Sequence, residues 1–236
     1  ENFKHLFSKY KAIGKEMLEL HIVGGEPTLW PKLGEFVTEI RKHIPAYITI
    51  SSNGSRTLRW WEKFGTVFDK ILLSCHHKEV DIQHFVKVSD TLHEMGRSPN
   101  VMVLMDPNAW DKCLELIETC KTSKHPWFIS AMEVMHETIN YTDEQRAFVA
   151  KPTKRRPSIW HIWKNRKHLK DNPVVVFEDG SKKRVNRNWI VLNKQNDFYG
   201  WRCNIGVDSM MIDPAGIITG ACRTRLFDNY NIYDKD

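Results

Sequence analysis

At 236 residues, with 41% hydrophobic and 27% charged residues, the chain can build one substantial domain and a smaller one, in the composition range of ordinary globular proteins. No apolar run approaches the roughly 20 residues that span a bilayer, so a membrane protein is not expected, and no secretory signal is visible. Five cysteines at scattered spacings suggest reduced thiols or metal ligands rather than a disulfide framework, and the cytoplasm is the expected compartment. The net charge of +6 is uneven, because residues 151–170 hold eight Lys or Arg and no acid.

In chain order, Phe3, Leu6, Phe7, Tyr10, Ile13 and Met17 recur at helical spacing and predict an amphipathic helix over 2–17. A strand over 19–23 follows, then a helix over about 32–43 stopped by Pro45, and a β-branched strand over 46–51. Leu58, Trp61 and Phe64 mark a further helical stretch, residues 69–74 a strand, and residues 80–95 a helix ending at Gly96. Strand 101–105, helix 108–121 and strand 127–131 complete a regular alternation. Repeated short strand–helix units imply parallel strands reached by crossovers, with apolar strands buried on both faces. The fold class expected is α/β.

Beyond residue 137 this rhythm stops. Thr142 and Gln145 stand in capping-box positions for a short helix. Residues 173–177 and 184–185, around the Glu178-Asp179-Gly180-Ser181 turn, read as a hairpin, and Trp189 to Leu192 as another strand. The basic stretch from Lys151 to Arg187, interleaved with Trp160 and Trp163, suits either a solvated basic face or the binding of nucleic acid or an acidic partner. The stretch from Trp201 to Cys222 reads as strand, Asp213-Pro-Ala-Gly216 turn, strand. Cys203 and Cys222 flank this hairpin, where two thiolates could meet one metal centre.

The chemistry concentrates at strand ends. Gly24-Gly25-Glu26-Pro27 breaks the first strand and leaves bare backbone amides and carbonyls beside a carboxylate, a place for a small zwitterion or for an ordinary βα turn. Ser51-Ser52-Asn53-Gly54 ends the next strand and Ser74 the one after, with His76 and His77 directly behind it. These positions lie at the carboxyl ends of strands, where α/β sheets bind ligands. His76 could contact a ligand or sit with His77 in an exposed loop. Asp106-Pro107-Asn108 either lines the same rim or caps the next helix. Glu133 and His136 could contact substrate or serve as caps, and Cys75, Cys113 and Cys120 read as packing residues.

Taken together, Gly24-Gly25-Glu26, Ser52-Asn53-Gly54 and Ser74 resemble, in order, three cofactor motifs of the radical S-adenosylmethionine (radical SAM) enzymes. The resemblance covers roughly residues 1–135. It implies a partial (β/α)6 TIM-like barrel and S-adenosylmethionine as cofactor. Gly24, Gly25 and Glu26 would lie at the methionine amino group, Ser52 and Asn53 along the cofactor pocket, and Ser74 near the ribose or carboxylate, with His76 alongside. It further implies a 4Fe-4S cluster fed by an external electron donor, and a 5′-deoxyadenosyl radical that abstracts hydrogen from a substrate.

The family's Cys-x3-Cys-x2-Cys loop is absent from these residues. The expectation is a fragment whose first strand and cluster ligands lie upstream of residue 1, inactive by itself; the rival is a protein that has lost its cluster. The stretch 201–222 resembles the start of the SPASM or twitch auxiliary-cluster segment, with five residues rather than four between Gly216 and Cys222. That resemblance implies Cys203 and Cys222 as ligands of an auxiliary iron–sulfur cluster in the complete protein, and a peptide as substrate. The expected division is a core over 1–136, a basic connector with a β insert over 137–200, and a truncated auxiliary segment with a small hairpin over 201–236. The other reading is a cluster-less barrel serving as a basic nucleic-acid or protein binding module. The catalytic residues, the substrate and the oligomeric state are not legible.

Overall fold

The computed structural model describes residues 4, 7, 8, 12, 17–121, 128–133, 141–151, 174–185, 187–194, 211–213 and 217–219, with backbone alone for 128–133, 187, 218 and 219. The chain forms two compact units, one of residues 19–41 and 46–196, the other of residues 1–18, 42–45 and 197–236.

The larger unit is built on a five-stranded sheet, β1 (Leu18–Ile22), β2 (Ala46–Ser52), β3 (Lys70–Cys75), β4 (Asn100–Met105) and β5 (Phe128–Glu133), in the order β1-β2-β3-β4-β5. Strands β2 to β5 run parallel, with Ile50 opposite Ile71, Leu73 opposite Val101 and Val101 opposite Ile129. Between them lie α1 (Leu33–His43), α2 (Leu58–Phe64), α3 (Ile82–Glu94) and α4 (Trp110–Lys121). Every predicted strand and helix from 19 to 131 is therefore present, with ends displaced by one or two residues.

Local chemistry sets these boundaries. Asp81 caps α3 by accepting from His84 N, and Gly96, at φ +76°, ends it while Arg97 N donates to Leu92 O. Asp106 caps the turn before α4 through Asn108 N, the helix-capping alternative for that stretch.

A parallel sheet whose neighbours follow chain order differs from a doubly wound one, which reverses direction part-way. Right-handed crossovers that all step in one direction put every helix on the same face. The strands agree. Ile48, Ile50, Ile71, Leu73, Cys75, Val101, Val103 and Met105 alternate along β2 to β4 and are all buried. Phe85 of α3 lies near Leu73, since both approach the position where Gly54 would carry a Cβ. Cys113 of α4 donates to Leu104 O at 3.4 Å. The opposite face is mixed: Thr49, Ser51, Lys70, Ser74 and Asn100 stand among Tyr47, Leu72, Met102 and Leu104, and of these only Thr49 is buried. The strands are thus apolar and buried on the helix side, and mixed and mostly half-buried on the other, because the helices all lie on one side.

After β5, α5 (Asp143–Val149) carries the predicted capping box, with Thr142 Oγ1 accepting from Gln145 N and Gln145 Oε1 accepting from Thr142 N. Tyr141, beside it, is buried and donates its hydroxyl to Met105 O at 2.6 Å. The predicted hairpin is β6 (Val174–Val176) with β7 (Lys182–Arg184), antiparallel, Val175 opposite Lys183.

Residues 189–192, expected as a strand, are instead part of α6 (Arg187–Leu192). Four successive apolar residues fit either period. Contact with α5 decides for a helix here, and Asn188 Nδ2 donates to Val149 O at 2.9 Å. In the smaller unit, residues 4, 7, 8 and 12 are helical. β8 (Met211–Ile212) pairs antiparallel with β9 (Ile218–Thr219), and Asp213 Oδ1 accepts from Ile217 N within the predicted turn. Among the described residues no helix is long and apolar enough to cross a membrane.

Candidate functional site

β1 stops at Ile22, and Gly24 follows at φ +150°, a conformation that side chains other than hydrogen rarely adopt. At Gly24 and at Gly25 an added Cβ would meet nothing within 4 Å, so both glycines present bare backbone to open space. Glu26 is extended and caps the short turn Pro27–Leu29: its Oε1 accepts from Thr28 N at 3.1 Å and from Thr28 Oγ1 at 2.5 Å.

The same carboxylate reaches the end of β2. Ser52 Oγ donates to Glu26 Oε1 at 2.8 Å, and Asn53 N donates to Oε2 at 2.6 Å. Ser52 Oγ in turn accepts from Gly54 N, and Asn53 Oδ1 accepts from Ser55 N. Gly54 has φ +74°, and a Cβ there would stand 3.1 Å from the Phe85 ring. The Gly-Gly-Glu and Ser-Asn-Gly turns are thus one hydrogen-bonded assembly. A carboxylate offers about four acceptor positions, and Oε2 takes a single donor in this arrangement, which leaves it capacity for another.

A cavity of about 280 Å³ opens at the carboxyl ends of β2 and β3, lined by Asn53, Gly54, Thr57, Ser74, His76, Glu79, Asp81, His84 and Phe85 among others. Ser74 Oγ lies 2.9 Å from His76 Nε2. His84 Nε2 lies 2.9 Å from Arg56 O, and since a carbonyl only accepts, that nitrogen carries a proton. Asn53, Ser74 and His76 therefore meet in one cavity. Glu26 and the buried Ser52 stand outside its lining and connect to it through Asn53, while Gly24 and Gly25 flank that assembly. Glu79, Asp81 and His84 were not singled out from sequence. Their signal was position alone, in the loop and first helical turn after β3.

Next to the cavity residues, His77 Nε2 lies 3.7 Å from Asp106 Oδ2. On the sheet face away from the helices His21 Nε2 lies 3.0 Å from Ser51 Oγ. Burial of part of the ring, and then the Lys70 ammonium, push the His21 pKa down, against a smaller opposing effect of Glu19, so the imidazole is neutral at neutral pH.

The described cysteines behave as packing residues. Cys75, Cys113 and Cys120 are free, buried thiols. Burial pushes Cys75 and Cys120 up to about 12 and raises Cys113 as well. Among the described residues no three His, Cys, Asp or Glu could hold a metal ion. Cys203, Cys222 and His136 lie outside the described residues, as does the Glu133 side chain.

No protein-family model and no curated relative matches the sequence. Solved structures give a partial likeness. Native anSMEcpe with bound AdoMet and Kp18Cys peptide is 13% identical, with TM-score 0.46 over 62% of this chain and 48% of that one. Native anSMEcpe with bound AdoMet is 14% identical, with TM-score 0.45 over 62% and 47%. The chain spans about half the length of these solved chains. At such scores the weight rests on the residues themselves.

Proposed function

We propose that this chain is the central and C-terminal part of a radical SAM enzyme that binds S-adenosylmethionine at the carboxyl ends of β1, β2 and β3. The observation that carries the reading is the Glu26–Ser52–Asn53 assembly, which draws the Gly-Gly-Glu turn to the Ser-Asn-Gly turn beside a cavity that also takes in Ser74 and His76. The arrangement suits the cofactor. The open backbone at Gly24 and Gly25 and the spare acceptor capacity of Glu26 would take the methionine ammonium; Asn53, Ser74 and His76 supply polar partners for ribose and carboxylate.

When bound and reduced, the cofactor supplies a 5′-deoxyadenosyl radical for hydrogen abstraction; this chain's residues would bind it, orient it and limit water. The cluster ligands are proposed to lie upstream of residue 1, since no Cys-x3-Cys-x2-Cys spacing occurs among residues 1–236. Cys203 and Cys222 are proposed for an auxiliary cluster, and a peptide as the substrate class.

The test is anaerobic iron–sulfur reconstitution of the full-length protein, followed by assay of 5′-deoxyadenosine after addition of S-adenosylmethionine and a reductant. Formation of 5′-deoxyadenosine supports the reading. A folded protein that takes up no cluster overturns it.

A second reading is favoured by the β6–β7 hairpin, where Lys182, Lys183 and Arg184 are exposed beside exposed Val174, Val176 and Phe177. It is a basic surface for nucleic acid or an acidic protein. Binding to a single-stranded oligonucleotide that falls steeply with salt is its signature.

A further inference from the structure

The polar groups on the sheet face away from the helices call for a role of their own. Strands central to a parallel sheet are apolar on any face that another layer covers. Here the face away from the helices carries Thr49, Ser51, Ser74 and Asn100 on three successive strands, interspersed with Leu72, Met102 and Leu104, all half-buried except for the more enclosed Thr49. Polar side chains in such a position suit contact with a polar ligand better than contact with a second apolar layer. At the carboxyl end of this face, on the strand that leads directly into the Gly24-Gly25 turn, His21 of β1 meets Ser51 of β2 at 3.0 Å. The His21 side chain is exposed and hence reachable from solvent.

We propose that His21 and Ser51 form a substrate-positioning subsite that takes an uncharged group able both to donate and to accept a hydrogen bond, as an amide does.

The chemistry follows from the pair. Suppose Ser51 donates to His21 Nε2. Then Nδ1–H is left as a donor, and the Ser51 oxygen keeps acceptor capacity. Suppose instead that His21 Nε2–H donates to Ser51. Then the hydroxyl proton is the free donor, and Nδ1 the free acceptor. Either tautomer presents one donor beside one acceptor with no net charge. A carboxylate or an ammonium would leave one of the two unmatched. The neutral state of His21 supports the same choice, since an imidazolium offers two donors and a charge.

The subsite deepens the proposed function, because it would hold substrate next to the cofactor assembly, and it rests on that reading for its place in a reaction. The test uses the full-length protein labelled with 15N-histidine, with the His21 and His76 resonances assigned from His21→Gln and His76→Gln variants. N-acetylglycinamide is the neutral probe, acetate the charged control and S-adenosylmethionine the cofactor probe.

The expected result is that N-acetylglycinamide shifts the His21 nitrogens and acetate does not. Ser51→Ala, which removes a single oxygen, should weaken the response by about fivefold, the loss of one neutral hydrogen bond. No His21 response to the amide, or an undiminished one in Ser51→Ala, overturns the subsite. A His76 response to S-adenosylmethionine with a silent His21 overturns the subsite and leaves the cofactor reading in place. A His21 response to the amide with no His76 response supports the subsite and counts against the cofactor assignment.

Discussion

The Ser52 hydroxyl donates to Glu26 Oε1 at 2.8 Å across 26 residues of chain, and it accepts from Gly54 N at the same time. One oxygen thereby fixes both the position of the Gly-Gly-Glu turn and the shape of the Ser-Asn-Gly turn. Because Ser52 is buried, water cannot replace either bond.

Glu26→Gln keeps the shape of the side chain and inverts half of its hydrogen bonding. One end of the new amide must face either Asn53 N–H or the Thr28 and Ser52 donors, and a donor then meets a donor. A loss of about 1–3 kcal/mol is expected, read by urea unfolding with unchanged slope. Cofactor affinity should fall with it. A Gln variant as stable as the parent would show that the assembly has slack that the hydrogen bonds do not suggest.

Gly54 tests the same turn from its backbone. At φ +74° a Cβ is strained, and it would stand 3.1 Å from the Phe85 ring. Gly54→Ala should cost about 1–3 kcal/mol in thermal or urea unfolding. Gly96→Ala shares the positive φ but has open space around the new Cβ, so it should cost less. The difference between the two isolates the contact with Phe85.

Much of this was legible because it was periodic or punctuated. The apolar runs of β1 to β5, the capping box at Thr142 and the turn after Met211–Ile212 carry local signals. Residues 189–192 carried no period, and contact with α5 made them helical. The partition of the site was hidden for a different reason. Asn53 lines the cavity and Ser52 does not, a difference of one residue in a turn, and Ser51 points to the sheet's other face because strands alternate. His21 went unmarked because a histidine in an apolar run reads as an exposed position. Its partner stands 30 residues away and is brought near by strand pairing alone.

The buried thiols are expected to be inert. Cys75 and Cys120, pushed up to about 12 by burial, hold almost no thiolate at pH 8, and burial raises Cys113 in the same direction. Iodoacetamide at that pH should leave all three unmodified in the native protein and alkylate them in urea, as mapped by peptide mass spectrometry. Native-state alkylation at Cys113 would show that α4 opens locally.

Tyr141 ties the segment after β5 to the end of β4. Its hydroxyl donates to Met105 O at 2.6 Å in a buried setting, and its ring stands edge-on to Trp110. Tyr141→Phe keeps the ring contact and removes the donor. A cost of about 1–2 kcal/mol is expected in urea unfolding. A neutral result would mean that Met105 O finds another donor.

His21 gives the pH dependence its sign. Its folded pKa lies below the ordinary value of 6.5, through lost hydration first and the Lys70 ammonium second, with Glu19 opposing. Between the folded value and 6.5 the unfolded chain therefore binds more protons at this position than the folded one. Stability rises with pH through that window and is fully present above it. Acidification below 6.5 should destabilise the native protein more steeply than it does a His21→Gln variant, which cannot titrate there. The comparison is made by urea unfolding at pH 7.5, 6 and 5. Parallel curves for the two proteins would mean that Glu19 balances Lys70 and burial. The imidazole would then be charged at the lower pH, and the neutral pairing with Ser51 would be confined to the higher.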